Sequence, residues 1–228
     1  MKKKKKKFSL LRTAVIAAGI WIVLPQLKTY MWRIPYVISK KAKFKKELQT
    51  AVPGQLVFAG DSITDVYPLD KFYPDRTVYN RGISGDATFH LLGRLDGIYA
   101  LKPEKIVLLI GVNDFLNEKR PVGTVVCDYE RILRALREIL PDTEVVCESV
   151  YPTFSDDRSA IADRAEDIKE LNQQIELLAL QYGYVYADVY SALTDGVSDN
   201  ANPALTNDGI HPNEEGYRVI TEYLKAYI

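Results

Sequence analysis

Leu56-Val57-Phe58-Ala59-Gly60-Asp61-Ser62-Ile63-Thr64 is the stretch around which the rest of the chain is organised. Leu56 to Ala59 form a short apolar run that predicts a buried strand. Gly60 lets the chain turn sharply, and Asp61 and Thr64 suit the capping of a following helix. A serine just past a buried strand of an α/β protein stands at the carboxyl edge of the sheet, where ligands bind. On these residues alone, Asp61-Ser62 reads equally well as a turn with an N-cap and as the seat of a nucleophile.

Three further stretches shift that balance. Asn80-Arg81-Gly82 follows the strand-like Thr77-Val78-Tyr79, Gly111-Val112-Asn113-Asp114 follows Lys105 to Ile110, and Asp208-Gly209-Ile210-His211-Pro212 stands near the C-terminus. In chain order they supply Ser, Gly, Asn and His. That order and those contexts resemble the SGNH (GDSL-type) hydrolases, a family of esterases and lipases, over roughly residues 54–228. One departure is visible: the family's serine motif often continues with a glycine two residues after the threonine, whereas Asp65-Val66-Tyr67 follows here.

The pattern from residue 51 onward alternates strand and helix. Strands are predicted at 55–59, 77–80, 105–110, 144–150 and 184–188, and helices near 86–100, 122–140, 158–182 and 213–227. The helix at 122–140 carries Val125, Val126, Tyr129, Ile132, Leu133, Leu136 and Ile139 at helical spacing, and Pro212 is placed to open the last helix. Such alternation implies a mainly parallel sheet with helices on both faces. The expected fold is a three-layer αβα sandwich around a five-stranded, flavodoxin-like parallel sheet. Ser191 to Asp208 is the longest segment with no clear element.

The formal net charge of zero hides an asymmetry: residues 1–46 hold 14 Lys and Arg and no acid, whereas the remainder holds 16 against 30 Asp and Glu. The acidic remainder argues against nucleic acid as a partner, and the basic tail argues for an anionic membrane surface. Lys2–Lys7 precede an apolar stretch from Phe8 to Leu27, of which the 15 residues from Thr13 are uncharged. With Arg12 snorkelling, the stretch reaches the length of a span, and no small-x-small cleavage site follows it, so a signal anchor is favoured over a removed signal peptide. Seven positive charges flank each side of the stretch. The compact lysine block favours an N-terminus inside and a domain outside. Residues 1–50 are thus expected to be tail, single-pass anchor (about 8–27) and basic linker or juxtamembrane helix, and residues 51–228 the hydrolase domain, with Pro53-Gly54 marking its start. Cys127 and Cys147 lack metal or redox spacing and are expected to be two buried free thiols.

A serine hydroxyl is a weak nucleophile that needs a base and donors for a developing oxyanion. Of the two histidines, His90 lies in a predicted helix and reads as a partly buried or surface residue. His211 stands in a loop, its backbone held extended by Pro212, and Asp208 three residues earlier is placed to reach its ring. Gly82 suits a close main-chain N–H approach, and Asn113 offers an uncharged side-chain donor. The resemblance implies Ser62, Asp208 and His211 as the catalytic set and the Ser62 N–H, the Gly82 N–H and the Asn113 side chain as the oxyanion hole, with no metal or cofactor. Asp114 reads as structural, and Asp61, Arg81 and Asp86 receive no chemical role. The expected activity is hydrolysis of a carboxylic ester on a small molecule or glycan. No apolar lid is visible, which points to short acyl groups, although Tyr67, Phe72 and Tyr73 or the helix at 86–100 are candidates for an acyl groove. A lysophospholipase, an O-acyltransferase to a sugar and a tethered binding domain are the alternatives.

Overall fold

The computed structural model describes residues 31, 33–154, 164–197 and 199–228. The compact unit that carries the site runs from Phe44 to Ile228. The expected anchor at 8–27 lies outside the described residues, and among those described no helix is long and apolar enough to cross a membrane. Residues 33–47 are helical (α1).

Five strands form the centre: β1 (Leu56–Gly60), β2 (Val78–Gly82), β3 (Lys105–Leu109), β4 (Glu144–Glu148) and β5 (Val185–Ala187). They pair in the order β2-β1-β3-β4-β5, all parallel. This is the flavodoxin-like order, whose switch point lies between β1 and β3. Parallel strands read as continuous apolar runs because both faces are covered. In β1, Val57 and Ala59 belong to one core and Leu56 and Phe58 to the other. The first core is closed by α4 (Thr88–Leu92), α5 (Asp96–Tyr99), α7 (Val122–Ile139) and α8 (Ala165–Gln181). The second is closed by α2 (Ser62–Asp65), α3 (Leu69–Phe72), α9 (Val189–Leu193) and α10 (Glu214–Leu224). A further short helix, α6 (Val112–Leu116), follows β3. On α7 the fully buried Val125, Tyr129, Ile132, Leu133 and Leu136 recur at the 3.6 period, each worth about 1.5–3 kcal/mol of apolar transfer for a side chain of that size, whereas Val126 is half-buried and Ile139, at the end of the helix, is exposed.

Several expectations change in detail. The helix predicted at 86–100 is two, interrupted at Gly93-Arg94-Leu95, because Arg94 turns inward to bond main-chain carbonyls. The helix predicted from 158 is described from Ala165, and residues 155–163 lie outside the described set. The last helix opens at Glu214 rather than Pro212, because Asn213 caps it, accepting from the Gly216 N–H at 3.0 Å. The segment 191–208 contains the end of α9, a bridge between Thr194 and Ala201 and a 3-10 turn at Pro203–Leu205. Tyr67 and Tyr73 line no groove: both are buried, and Tyr67 packs against Phe58, Phe72, Tyr73 and Tyr217. Of the two free thiols only Cys147 is buried; Cys127 is on the exposed side of α7.

The compact unit begins at Phe44, ahead of the boundary expected at residue 51. The reason lies on the edge strand. Arg81 of β2 is only 1% exposed; its guanidinium lies over the rings of Phe44 and Tyr79 at 4.6 and 5.5 Å and pairs with Glu47. Its Nε and Nη2 have no partner among the described residues, so Glu47 is the one carboxylate among them that holds this buried charge. Glu47→Ala is expected to lower unfolding free energy by about 1–3 kcal/mol, the cost of stranding a buried donor. Urea unfolding of the two proteins checks this, and a change under about 0.5 kcal/mol would refute the role given to Glu47.

Candidate active site

The carboxyl ends of β1, β2 and β3 lie level, with Gly60 opposite both Gly82 and Leu109. Each is followed by a segment carrying a polar residue singled out above. After β1, Asp61 caps α2 by accepting from the Ile63 N–H at 3.0 Å, which presents Ser62 as the first helical residue. The Ser62 Oγ stands 2.8 Å from His211 Nε2, and His211 Nδ1 stands 2.7 Å from Asp208 Oδ2. Asp208 Oδ1 accepts from the main-chain N–H groups of Ile210 and His211, at 3.0 and 2.8 Å, so the turn that joins the two residues also orients the carboxylate. Partial burial pushes the Asp208 carboxyl up, but the His211 N–H, the His211 ring and the Ile210 N–H outweigh it and hold it below its ordinary value.

Asn113 follows β3 in the first turn of α6 and is buried. Its Nδ2 donates to the Asp86 carbonyl at 3.0 Å, and its Oδ1 accepts from Asn117 at 2.6 Å, which fixes the orientation of the amide and leaves one N–H of Nδ2 without a partner among the described residues. The Ser62 N–H is likewise unpartnered among them. Ser62, Asn113, Asp208 and His211 are thus gathered at the carboxyl edge by one sheet and two loops.

Gly82 does not join them as expected. It is the last residue of β2, its N–H donates to Asn80 Oδ1 at 2.8 Å, and it is buried against α2, where a Cβ would stand 2.2 Å from the Asp65 nitrogen. The glycine is required for this close approach of strand and helix and has no donor to spare. The residue with a spare donor is Gly85. It sits third in a turn closed by the Asp86 N–H on the Ile83 carbonyl at 3.1 Å, with φ +80°, and its N–H has no partner among the described residues. A turn of this form needs a positive φ at that position, which glycine supplies. The signal in the sequence is the Ser84-Gly85-Asp86 run after β2, a turn rather than the strand end.

Val66 occupies the place where the family's glycine is often found, and Asp65 stands just before it. The Asp65 Oδ2 accepts from the Ser84 N–H and hydroxyl at 3.0 and 2.7 Å, which ties α2 to the turn. Asp114 is structural, as expected. Burial pushes its carboxyl up, while the Thr88 N–H and hydroxyl, both at 2.8 Å, and Arg120 pull it back. His90 is a half-buried residue of α4 whose Nδ1 accepts from the Ala87 N–H at 3.1 Å, apart from the Ser62 chain. Among the described residues no group of three or more His, Cys, Asp or Glu is placed to hold a metal ion.

Comparison with protein families places residues 58–219 in the GDSL-like lipase/acylhydrolase family. The chain belongs to this family. Several proteins of solved structure share the fold. A Streptococcus pneumonia protein whose description names a platelet activating factor is 28% identical, covering 90% of this chain and 98% of its own, with a TM-score of 0.80. A GDSL-like lipase of Bacteroides thetaiotaomicron is 23% identical over 81% of this chain and 95% of its own, with a TM-score of 0.73. An acetylxylan esterase of Geobacillus stearothermophilus, in a catalytic mutant form, is 19% identical over 77% and 94%, with a TM-score of 0.60. No curated protein matches the sequence. Membership of the GDSL-like acylhydrolases makes the chain a carboxylic ester hydrolase.

Asp61, which places Ser62, carries a testable cost. Burial, with the Asp86 and Asp114 carboxylates nearby, pushes its carboxyl from 3.8 up to about 7, against the Ile63 N–H and Arg94, which lower it. A folded-state pKa above the unfolded one means that the native state holds the proton more tightly, so stability is full below about pH 4 and is lost as pH rises toward 7. At 1.36 kcal/mol per pH unit the loss is up to about 4 kcal/mol. Asp61→Asn, which keeps the cap oxygen, is expected to flatten the decline in unfolding free energy across this window, and an unchanged slope would remove Asp61 as its source.

Proposed function

We propose that the GDSL-like domain hydrolyses short acyl esters, acetyl esters above all, through an acyl-enzyme on Ser62. The observation that carries this reading is the continuous hydrogen-bond chain from the Ser62 Oγ through both His211 nitrogens to Asp208, at 2.8 and 2.7 Å, with the unpartnered Ser62 N–H at its serine end. His211 Nε2 takes the Ser62 proton as Oγ attacks the acyl carbon. Asp208 fixes the tautomer with the proton on Nδ1 and stabilises the imidazolium that forms. The Ser62 N–H, the Gly85 N–H and the free N–H of Asn113 bind the oxyanion. Collapse expels the alcohol with the proton from His211, and water repeats the sequence on the acyl-enzyme.

The preference for short chains is supported by how open the site is. The side chains of His211 and Asp208 are 34% and 52% exposed. The apolar recess behind them, lined by Tyr151, Leu193, Leu205, Ile210 and Pro212, has a volume of about 10 Å³, room for one water-sized group and far below the roughly 300 Å³ at which ligand pockets begin. Each further methylene gains about 0.8 kcal/mol only where an apolar slot receives it. The acetylxylan esterase noted above has the same fold, so acetyl esters are within the chemistry that this fold carries. Ser62→Ala and His211→Ala are each expected to cost several orders of magnitude in kcat with folding intact, and kcat/KM for aryl esters is expected to fall from acetate to palmitate. A folded, active Ser62→Ala protein would end the nucleophile assignment; a rise toward long chains would replace the substrate by a lysophospholipid-like ester.

The reading includes a tether at residues 8–27, supported by the lysine block, the apolar stretch and the missing cleavage site. The full chain is expected to sediment with membranes and its domain to be cleaved by protease added to intact cells. Recovery in the soluble fraction would exclude the tether, and protection until lysis would reverse the orientation.

A further inference from the structure

The three proposed oxyanion donors come from three separate segments, and one buried side chain touches all three neighbourhoods. Arg94, at the interruption between α4 and α5, is 7% exposed. Its Nε–H donates to Asp86 Oδ2 at 2.6 Å, its Nη1 to the Arg81 carbonyl at 2.9 Å and its Nη2 to the Gly60 carbonyl at 2.9 Å. Gly60 lies two residues before Ser62. Arg81 lies at the end of β2, before the turn that carries Gly85. Asp86 follows Gly85 directly, and its own carbonyl accepts the Asn113 Nδ2 at 3.0 Å. The guanidinium therefore bridges the nucleophile strand, the neighbouring strand and the oxyanion turn, and through Asp86 it reaches the asparagine.

We propose that Arg94 is a positioning residue that sets the spacing of the Ser62, Gly85 and Asn113 donors. This rests on the esterase reading above. Three bonds diverging in one plane need the rigid fork of a guanidinium; an ammonium is a point charge on a flexible stem and cannot hold three acceptors at those directions. Asp65 secures the same turn through Ser84, but from α2, so it fixes the turn to the serine helix and not to β2 or Asn113. Arg94 makes no hydrogen bond or ion pair with Ser62, His211 or Asp208, so its loss should loosen oxyanion binding and leave the base alone.

The test uses the full chain and an aryl acetate. A displacement of about 1 Å at a reacting centre can cost about 10²-fold, so Arg94→Lys is expected to lower kcat about 10- to 100-fold. KM should stay within about twofold, and the acidic inflection of the kcat/KM pH profile should not move, because His211 is undisturbed. Guanidinium ion added to Arg94→Ala is expected to restore part of kcat. Should the arginine variants fail to fold, Asp86→Asn carries the same expectation at about 10-fold, since it weakens the grip on the turn while the Asp86 carbonyl and the Arg94 bonds to Gly60 and Arg81 remain. A lowered melting temperature with unchanged kcat would overturn the proposal, as would a shifted pH inflection, which would show the whole site disturbed. Ser62→Ala is the control: activity surviving there overturns the nucleophile, whereas wild-type kcat in Arg94→Lys beside an inert Ser62→Ala overturns the positioning role alone.

Discussion

Everything in this molecule depends on the place of β1 between β2 and β3 in a parallel sheet. Right-handed crossovers from β1 to β2 and from β2 on to β3 must leave the sheet on opposite faces, since the neighbours lie on opposite sides of β1. The connections part above β1, and a crevice opens there without any residue being devoted to making it. Ser62 is the second residue beyond β1, so the serine faces the crevice because of strand order, before any side chain has been chosen. The flanking strands then deliver the turn with Gly85 and the helix with Asn113 to the same edge.

Bringing three loop segments together at one edge leaves many main-chain groups with no ladder to join, and each buried one needs a partner. The chain meets this with charged side chains that are themselves buried or half-buried. Arg94 and Asp86 pair at 7% and 2% side-chain exposure, Arg120 joins Asp114 to Asp128, and Asp65 binds Ser84. Removing these charges from water is costly, and an apolar core would be more stable. What the charges supply is direction: each bond fixes one loop at one angle relative to its neighbour. The apolar cores above and below the sheet supply the stability that offsets this arrangement.

The sheet and its longest helix are legible in the sequence because their signals are local and repeated: apolar runs for the strands and a 3.6 period on α7. Asp208 and His211 are legible for the same reason, since a spacing of three residues in one turn needs no knowledge of the fold. The four-residue helix α3 is not, because one turn leaves no period to read, and α2 is signalled only by its cap residue Asp61. Gly82 stands in for Gly85 in the sequence reading because a glycine ending a strand and a glycine in the turn after it look alike there. Only the hydrogen bond to Asn80 and the crowding by Asp65 tell them apart. Arg94 is invisible in sequence because two of its acceptors are main-chain carbonyls 13 and 34 residues away, and a carbonyl has no letter. The exposure of Cys127 and the inclusion of Glu47 in the domain depend on a helix face and a boundary that tertiary packing decides.

The bond between Ser62 and His211 spans 149 residues. Ser62 and His211 therefore leave the ribosome 149 residues apart, and closing so long a loop carries an entropic cost that the docking of α10 against the second core helps to offset. A growing chain can complete β1, β2 and β3 and still hold Ser62 without the histidine proposed to deprotonate it. On the proposed mechanism, hydrolysis waits for the segment that carries Asp208 and His211 to be made and docked.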